Sequence, residues 1–284
     1  MRAKLLICDL DNTLYDWVGF FVPAFYAMVD EAVRILACDR EVLLDELKLV
    51  HQHYQDAEHP FALLETGTVA HVMRHLDVEE RRRTLDPAFR AFNTVRKDRL
   101  KLYPGVEDTL ERLKQDGVAL VAHSESKLYS VVFRLRFLDL TKYFEKIYCL
   151  ERPPRTLGDQ SRIKSFWADF PTSRIVELTH HQRKPSPEVL GEIIKTFDLE
   201  AREAAYIGDS IAKDVYMAKQ VGSIAIWAEY GSKHPPDEYA KLVRISHWTP
   251  AEIRYEAELR KLTHAVRPDF VAKSSFAELL KFIA

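Results

Sequence analysis

The sequence predicts an α/β fold, a mostly parallel sheet covered by helices on both faces, with an all-helical domain inserted into it. Three observations predict this. The apolar run Lys4-Leu5-Leu6-Ile7-Cys8 is long enough for one buried strand and stops at Asp9. Residues 16–102 then carry helical periodicity with no convincing strand. From Tyr103-Pro104-Gly105 onward, short apolar runs alternate with amphipathic stretches, the pattern of parallel strands joined by crossover helices. The opening run cannot bury itself alone, so it must join the later strands. Residues 1–15 and 103–284 therefore form one discontinuous core domain, and 16–102 a helical insertion.

The elements follow in order. Val18, Phe21, Val22, Phe25, Met28, Val29, Ala32, Val33 and Leu36 recur at helical spacing. Further helical segments lie near 39–54, 67–76 and 79–100, with Pro60 and Pro87 as breaks. In the core, a helix over 105–115 leads through Gly117 to a strand over 118–122, and a helix over 126–138 to a strand over 147–150. A strand over 174–178, a helix over 187–197, a strand over 204–207, a helix over 212–220 and a strand over 223–227 come next. A last strand and helix start at Phe270. Two connections exceed ordinary loop length, 151–182 and 229–268, with Pro153-Pro154 and Pro235-Pro236 marking irregular backbone.

Composition bounds the function. The 284 residues are 47% hydrophobic and 30% charged, enough for a core of ordinary size. A net charge of -2 makes no electrostatic case for nucleic acid or an anionic membrane. The longest apolar run, residues 17–29, is too short to span a bilayer. Asp9 cuts the N-terminal apolar segment too short for a signal peptide. Cys8, Cys38 and Cys149 are widely spaced, as buried thiols in a reducing compartment are. A cytoplasmic protein, monomer or homodimer, is expected.

Four strand ends and helix starts carry polar groups that can converge. Asp9, Asp11 and Thr13 follow the first strand, and His123-Ser124-Glu125-Ser126 the second. Lys184 precedes Pro185, and Gly208-Asp209-Ser210 through Asp214 follows another apolar strand. Paired carboxylates repel each other unless a cation or an acid–base task accounts for them. Phosphoryl transfer needs this inventory: a nucleophile, a cation for the equatorial oxygens, further donors, and an acid for the leaving oxygen.

In that order these residues resemble the four motifs of the haloacid dehalogenase-like hydrolase superfamily, and Asp269-Phe270-Val271 through Leu280 resembles its C-terminal stretch. The insertion resembles the all-helical, C1-type cap of its phosphatase branch. The resemblance implies a Rossmann-like three-layer core and a Mg²⁺-dependent phosphatase that acts on a small phosphorylated metabolite through an aspartyl-phosphate. Asp9 would be nucleophile and metal ligand. Asp11 would be general acid and base, its backbone carbonyl also on the metal. Thr13 and Ser124 would bind the phosphoryl group or support its loop, with Ser126 the alternative to Ser124. Lys184 would neutralise charge, Asp209 would ligate Mg²⁺, and Ser210 and Asp214 would stand behind them. Glu125 occupies a position where the family commonly has Asn, and 151–182 is longer than usual. A phosphomutase, or a non-catalytic phosphate-binding regulatory module, is the alternative.

Elsewhere the simpler readings are preferred. Arg81, Arg82, Arg83, Arg90, Arg96, Lys97 and Arg99 read mainly as a solvated helix face, and His51, His53 and His59 as surface or interface histidines.

Overall fold

Strand β1, Leu5–Cys8, occupies the middle of a parallel sheet. The computed structural model describes residues 3–59, 61–151 and 170–283. Among them the strands are β1, β2 (Ala119–Lys127), β3 (Lys146–Leu150), β4 (Ile175–Leu178), β5 (Ala204–Gly208), β6 (Ile224–Ala228) and β7 (Phe270–Ala272). Their spatial order is β4-β3-β2-β1-β5-β6-β7, every pairing parallel. Successive side chains alternate between the two faces. Leu6 and Cys8 join one hydrophobic cluster, Leu5 and Ile7 the other. Helices α6 (Val106–Gln115) and α7 (Leu128–Phe137) cover the first face through Leu110, Leu113, Val131 and Leu135. Helices α8 (Pro187–Lys195) and α9 (Tyr216–Val221) cover the second through Leu190, Ile193 and Met217. This is the expected three-layer Rossmann-like arrangement. β1 has β2 on one side and β5 on the other, so the chain reverses its direction of sheet growth there, where such sheets open a crevice.

Between β1 and β2 the described residues form helices α1 (Trp17–Leu36), α2 (Arg40–Tyr54), α3 (Gly67–Val72), α4 (Val78–Thr84) and α5 (Asp86–Arg99). The Asp16 carboxylate caps α1 by accepting from the Gly19 N–H at 2.8 Å. Pro87 sits in the first turn of α5, where a missing N–H costs nothing. Pro60 lies outside the described residues. The apolar face of α1 continues the first core cluster through Phe21, Phe25 and Val29, so insertion and sheet share packing.

Three sequence expectations are corrected. β2 does not stop at residue 122. It stays extended through Lys127, with a register shift against β3 between His123 and Lys127, across which Ser124, Glu125 and Ser126 bulge from the ladder. Pro235-Pro236 does not mark irregular backbone, because Pro236 opens α10 (Pro236–Ile245), and Pro250 opens α11 (Pro250–Leu262). The connection 229–268 is therefore largely helical. Of the two places expected for His51 and His59, surface or interface, the surface is excluded, because both are buried. In the other long connection, Pro153-Pro154 and residues 152–169 lie outside the described residues. Cys8 and Cys149 are buried and Cys38 half-buried. Among the described residues no helix is long and apolar enough to cross a membrane.

Helix α10 rests on the insertion. The Tyr26 hydroxyl donates to the Lys241 carbonyl at 3.3 Å, and the Lys48 ammonium to the Val243 carbonyl at 3.2 Å. His51 Nδ1 lies 2.6 Å from the Ile245 carbonyl. These acceptors belong to the last turns of α10, whose final carbonyls have no partner within the helix.

The buried imidazole makes the fold acid-sensitive. Burial lowers the His51 pKa from 6.5 to about 4, against the Ile245 hydrogen bond, which favours the proton. The unfolded chain therefore binds a proton below pH 6.5 that the folded chain refuses, and stability falls as pH falls from 6.5 towards 4. His123 and His247 are shifted in the same direction by burial. We expect His51 alone to account for about 2 kcal/mol between pH 6.5 and 5. Denaturant titrations should show a shallower loss over that window in His51→Gln; an unchanged slope would refute the assignment.

Candidate active site

The crevice beside β1 gathers charged groups from four segments. The Asp9 N–H donates to the Ile207 carbonyl at 2.9 Å, which carries the β1–β5 ladder one residue past the strand. The backbone then turns at Asn12, whose φ of 58° is left-handed. The Asn12 side-chain oxygen accepts from the Trp17 and Val18 N–H groups at 3.1 and 3.3 Å, tying this loop to the start of α1.

Asp9 is 6% exposed and Lys184 7%. The Lys184 ammonium donates to Asp9 Oδ1 at 2.5 Å and to Asp214 Oδ1 at 3.0 Å. The Thr13 hydroxyl donates to Asp9 Oδ2 at 2.9 Å. Thr13 thus holds the carboxylate rather than facing the cavity. Asp214 Oδ2 accepts from the Ser210 N–H at 3.0 Å, and the Ser210 hydroxyl accepts from the Lys213 N–H at 3.2 Å, capping a π turn over Ile211–Val215. A Cβ on Gly208 would stand 2.3 Å from the Asp214 carboxyl carbon. Glycine lets that carboxylate close over the end of β5.

Carboxylate oxygens of Asp9, Asp209 and Asp214 lie within 4.8 Å of one another. Burial raises the Asp9 pKa, partly offset by Lys184, and Asp214 and Asp11 raise it further. Burial also holds Asp209 well above the usual carboxylate range, with the Asp9 and Asp214 charges next in importance. Burial opposes the Lys184 ammonium, but Asp214 and Asp9 outweigh it and raise its pKa. One ammonium among three carboxylates leaves excess negative charge, and all the donors are hard oxygens. That set fits a small divalent cation such as Mg²⁺. Asp9 and Asp214 each accept hydrogen bonds at both oxygens, so hydrogen bonding does not rank them, and all three carboxylates are candidate ligands.

Asp11 faces a different set of partners. Its Oδ1 accepts from Arg134 Nη1 at 2.6 Å and its Oδ2 from the Ser126 hydroxyl at 2.6 Å. Ser124 is 1% exposed, and its hydroxyl accepts from the Ser126 N–H at 3.0 Å. Ser126 lines the cavity and Ser124 does not. Arg134, 1% exposed, also pairs with Glu58. Sequence reasoning missed this arginine; its one signal was a charge among Val131, Val132 and Leu135 on an apolar helix face.

The cavity has a volume of about 1160 Å³. The insertion contributes Asp56 and Glu58 to its lining, and α10 and α11 contribute Tyr239 and Tyr255. Glu125 pairs across it with Lys213 at 2.7 Å. The exit of β6 braces the site from behind. Trp227 Nε1 donates to the Asp209 carbonyl at 2.9 Å, and the Tyr230 hydroxyl to the Thr13 carbonyl at 2.6 Å. A Cβ on Gly231 would lie 1.6 Å from the Asn12 carbonyl oxygen, so only glycine allows this approach.

A family model described as haloacid dehalogenase-like hydrolase matches residues 3–222, and a second, HAD-hydrolase-like, matches 181–278. The chain is 24% identical to a glyceraldehyde 3-phosphate phosphatase of Pyrococcus furiosus, over 85% of this chain and 89% of that one. It is 27% identical to a phosphoglycolate phosphatase of Vibrio parahaemolyticus, over 99% and 96%. Among solved structures, a 2-haloacid dehalogenase from Pseudomonas syringae pv. Tomato superposes with a TM-score of 0.54 at 20% identity, covering 99% of this chain and 97% of that one. This last likeness concerns the fold alone.

Proposed function

Since the chain belongs to the haloacid dehalogenase-like hydrolase family, we propose that it is a Mg²⁺-dependent phosphatase acting on a small phosphorylated metabolite. The observation that carries the reading is the Asp9 carboxylate held between Lys184 and Thr13, with Asp209 and Asp214 beside it. The phosphatase names of the two relatives support the same reaction class.

Asp9 attacks phosphorus, and the bond to the leaving oxygen breaks with its electron pair going to that oxygen. Asp11 delivers the proton that neutralises it. The product is an aspartyl-phosphate, which water then hydrolyses with Asp11 accepting a proton. Lys184 places its charge beside Asp9 and the incoming phosphoryl oxygens. Ser126, on the cavity wall, gives its one hydroxyl proton to Asp11 and so orients that group, with Ser124 supporting its backbone. Asp9, Asp209 and the Asp11 carbonyl would hold the metal, with Asp214 and Ser210 behind them. Bound Mg²⁺ supplies positive charge to the phosphoryl oxygens and relieves the carboxylate repulsion. Residues 16–102 act as a cap on the core of 1–15 and 103–284, excluding water and contacting the leaving group.

The test is phosphate release from p-nitrophenyl phosphate and from a panel of sugar phosphates, nucleotides and phosphoglycolate. Turnover is expected with Mg²⁺ and should vanish in chelator. Millimolar Mg²⁺ should also stabilise the fold, by about 2.7 kcal/mol at 100 times its Kd, and Asp209→Asn should abolish that shift. Turnover undiminished by chelation would refute the metal assignment. Isomerised sugar phosphate in place of free phosphate would identify a mutase instead.

A further inference from the structure

We infer that Arg134 and Glu58 are positioning residues for Asp11, and that through them the helical insertion sets the geometry of proton transfer to the leaving group. The inference rests on Asp11 acting on that proton, as proposed above.

A buried guanidinium on an apolar helix face is costly unless its donors are matched by acceptors. Arg134 meets this condition with groups from three places. Nη1 donates to Asp11 Oδ1 at 2.6 Å and to the Ser126 hydroxyl at 3.1 Å. Nη2 donates to Glu58 Oε1, on the insertion. The rings of Tyr15 and Phe20 flank the guanidinium, their centroids 5.8 and 5.5 Å from its central carbon. This planar group therefore has little freedom to turn.

Glu58 is itself anchored. Its Oε1 accepts from the Trp17 indole N–H at 2.9 Å, and its backbone N–H donates to Asp56 Oδ1 at 2.9 Å. Trp17 begins α1 and stacks on Phe21, with ring centroids 5.1 Å apart. A continuous chain of contacts thus runs from the first turn of the insertion, through Glu58 and Arg134, to Asp11. Each Asp11 oxygen keeps a second lone pair. Arg134 and Ser126 can fix the plane of the carboxyl while leaving it a position for the proton. Displacing a proton donor by a fraction of an ångström costs rate without changing binding.

The consequence depends on the leaving group. A p-nitrophenolate departs without protonation, whereas an alkoxide needs the proton from Asp11. A misplaced Asp11 therefore slows formation of the aspartyl-phosphate selectively for alkyl phosphates, which a general loss of structure would not do; hydrolysis of that intermediate is common to both esters.

The experiment compares glycerol phosphate with p-nitrophenyl phosphate in the full chain with Mg²⁺. Glu58→Gln keeps the shape and removes the charge that orients Arg134. We expect kcat/KM, which reads the steps up to release of the leaving group, to fall at least tenfold for the alkyl ester, out of the 10²–10⁴-fold typical of general acid catalysis, and to stay within about threefold for the aryl ester. Arg134→Lys retains a charge but not the fork, and should give the same selective loss. An equal fall on both esters in both variants, or no fall on either, overturns the inference. If the unmodified protein hydrolyses neither ester, the phosphatase reading fails, and this inference with it.

Discussion

Asp9→Asn is expected to reduce phosphoester turnover by about 10⁴-fold or more while leaving the fold intact. The substitution removes the proposed nucleophile, and no other carboxylate can replace it. Asp214 is committed to Lys184 and the Ser210 N–H, and Asp11 to Arg134 and Ser126. Losses of this size follow removal of a nucleophile that acts as part of a unit. Stability should change little, for a physical reason. Burial and the neighbouring Asp214 and Asp11 charges oppose ionisation of Asp9, so a neutral isostere removes repulsion as well as the contact with Lys184. Lys184 retains Asp214. The measurement is phosphate release with a thermal melt, together with an acid quench using labelled substrate. The unmodified protein should carry label and the variant none. Residual turnover within tenfold would exclude Asp9 as the attacking group.

Lys184→Met should be the most damaging single change to stability, and it should lower activity as well. The ammonium pairs with two carboxylates whose side chains are almost wholly buried. Removing it leaves Asp9 and Asp214 facing each other without a counter-charge. Breaking a buried ion pair in this way costs about 3–5 kcal/mol, a fall in Tm of about 10 °C for a chain of this size. Turnover should fall by about 10³-fold, since the charge opposite the phosphoryl group is lost too. Lys184→Met combined with Asp214→Asn separates the two effects. The second substitution should restore part of the stability, because it removes one uncompensated charge, and none of the activity. A double variant no more stable than the single one would show that the charge cluster does not account for the loss.

The candidate cluster was legible because each of its members sits at a strand end or helix start that hydrophobic periodicity locates. Asp9 follows β1, Lys184 precedes α8, and Asp209 follows β5. Parallel strands bring their carboxyl ends to one edge, so locating the strands was enough to expect these side chains together, as they are. Arg134, Glu58, Trp227 and Tyr230 were not legible. Their partners are 18 to 217 residues away, and nothing in local periodicity reports such pairings. The course of β2 was misread for a related reason. His123-Ser124-Glu125-Ser126-Lys127 is polar enough to read as a loop, and its pairing with β3 at His123 and Lys127, across a bulge, is a long-range contact that local periodicity does not report. Connection 229–268 read as irregular at its two prolines, although proline opens a helix as readily as it interrupts one.

The seating of α10 on the insertion bears on how this fold could be trimmed or recombined. Chain connectivity suggests a cassette: cut near residues 16 and 102, and exchange what lies between. The Tyr26, Lys48 and His51 contacts to the end of α10 contradict that view. Excising the cassette would strip the terminal carbonyls of α10 of their donors and uncover Leu242 and Ile245, both now buried. A graft from another protein would meet a landing surface shaped for these three side chains. The heritable unit is thus two pieces far apart in the sequence, residues 16–102 and the helix 236–245, which must be exchanged together.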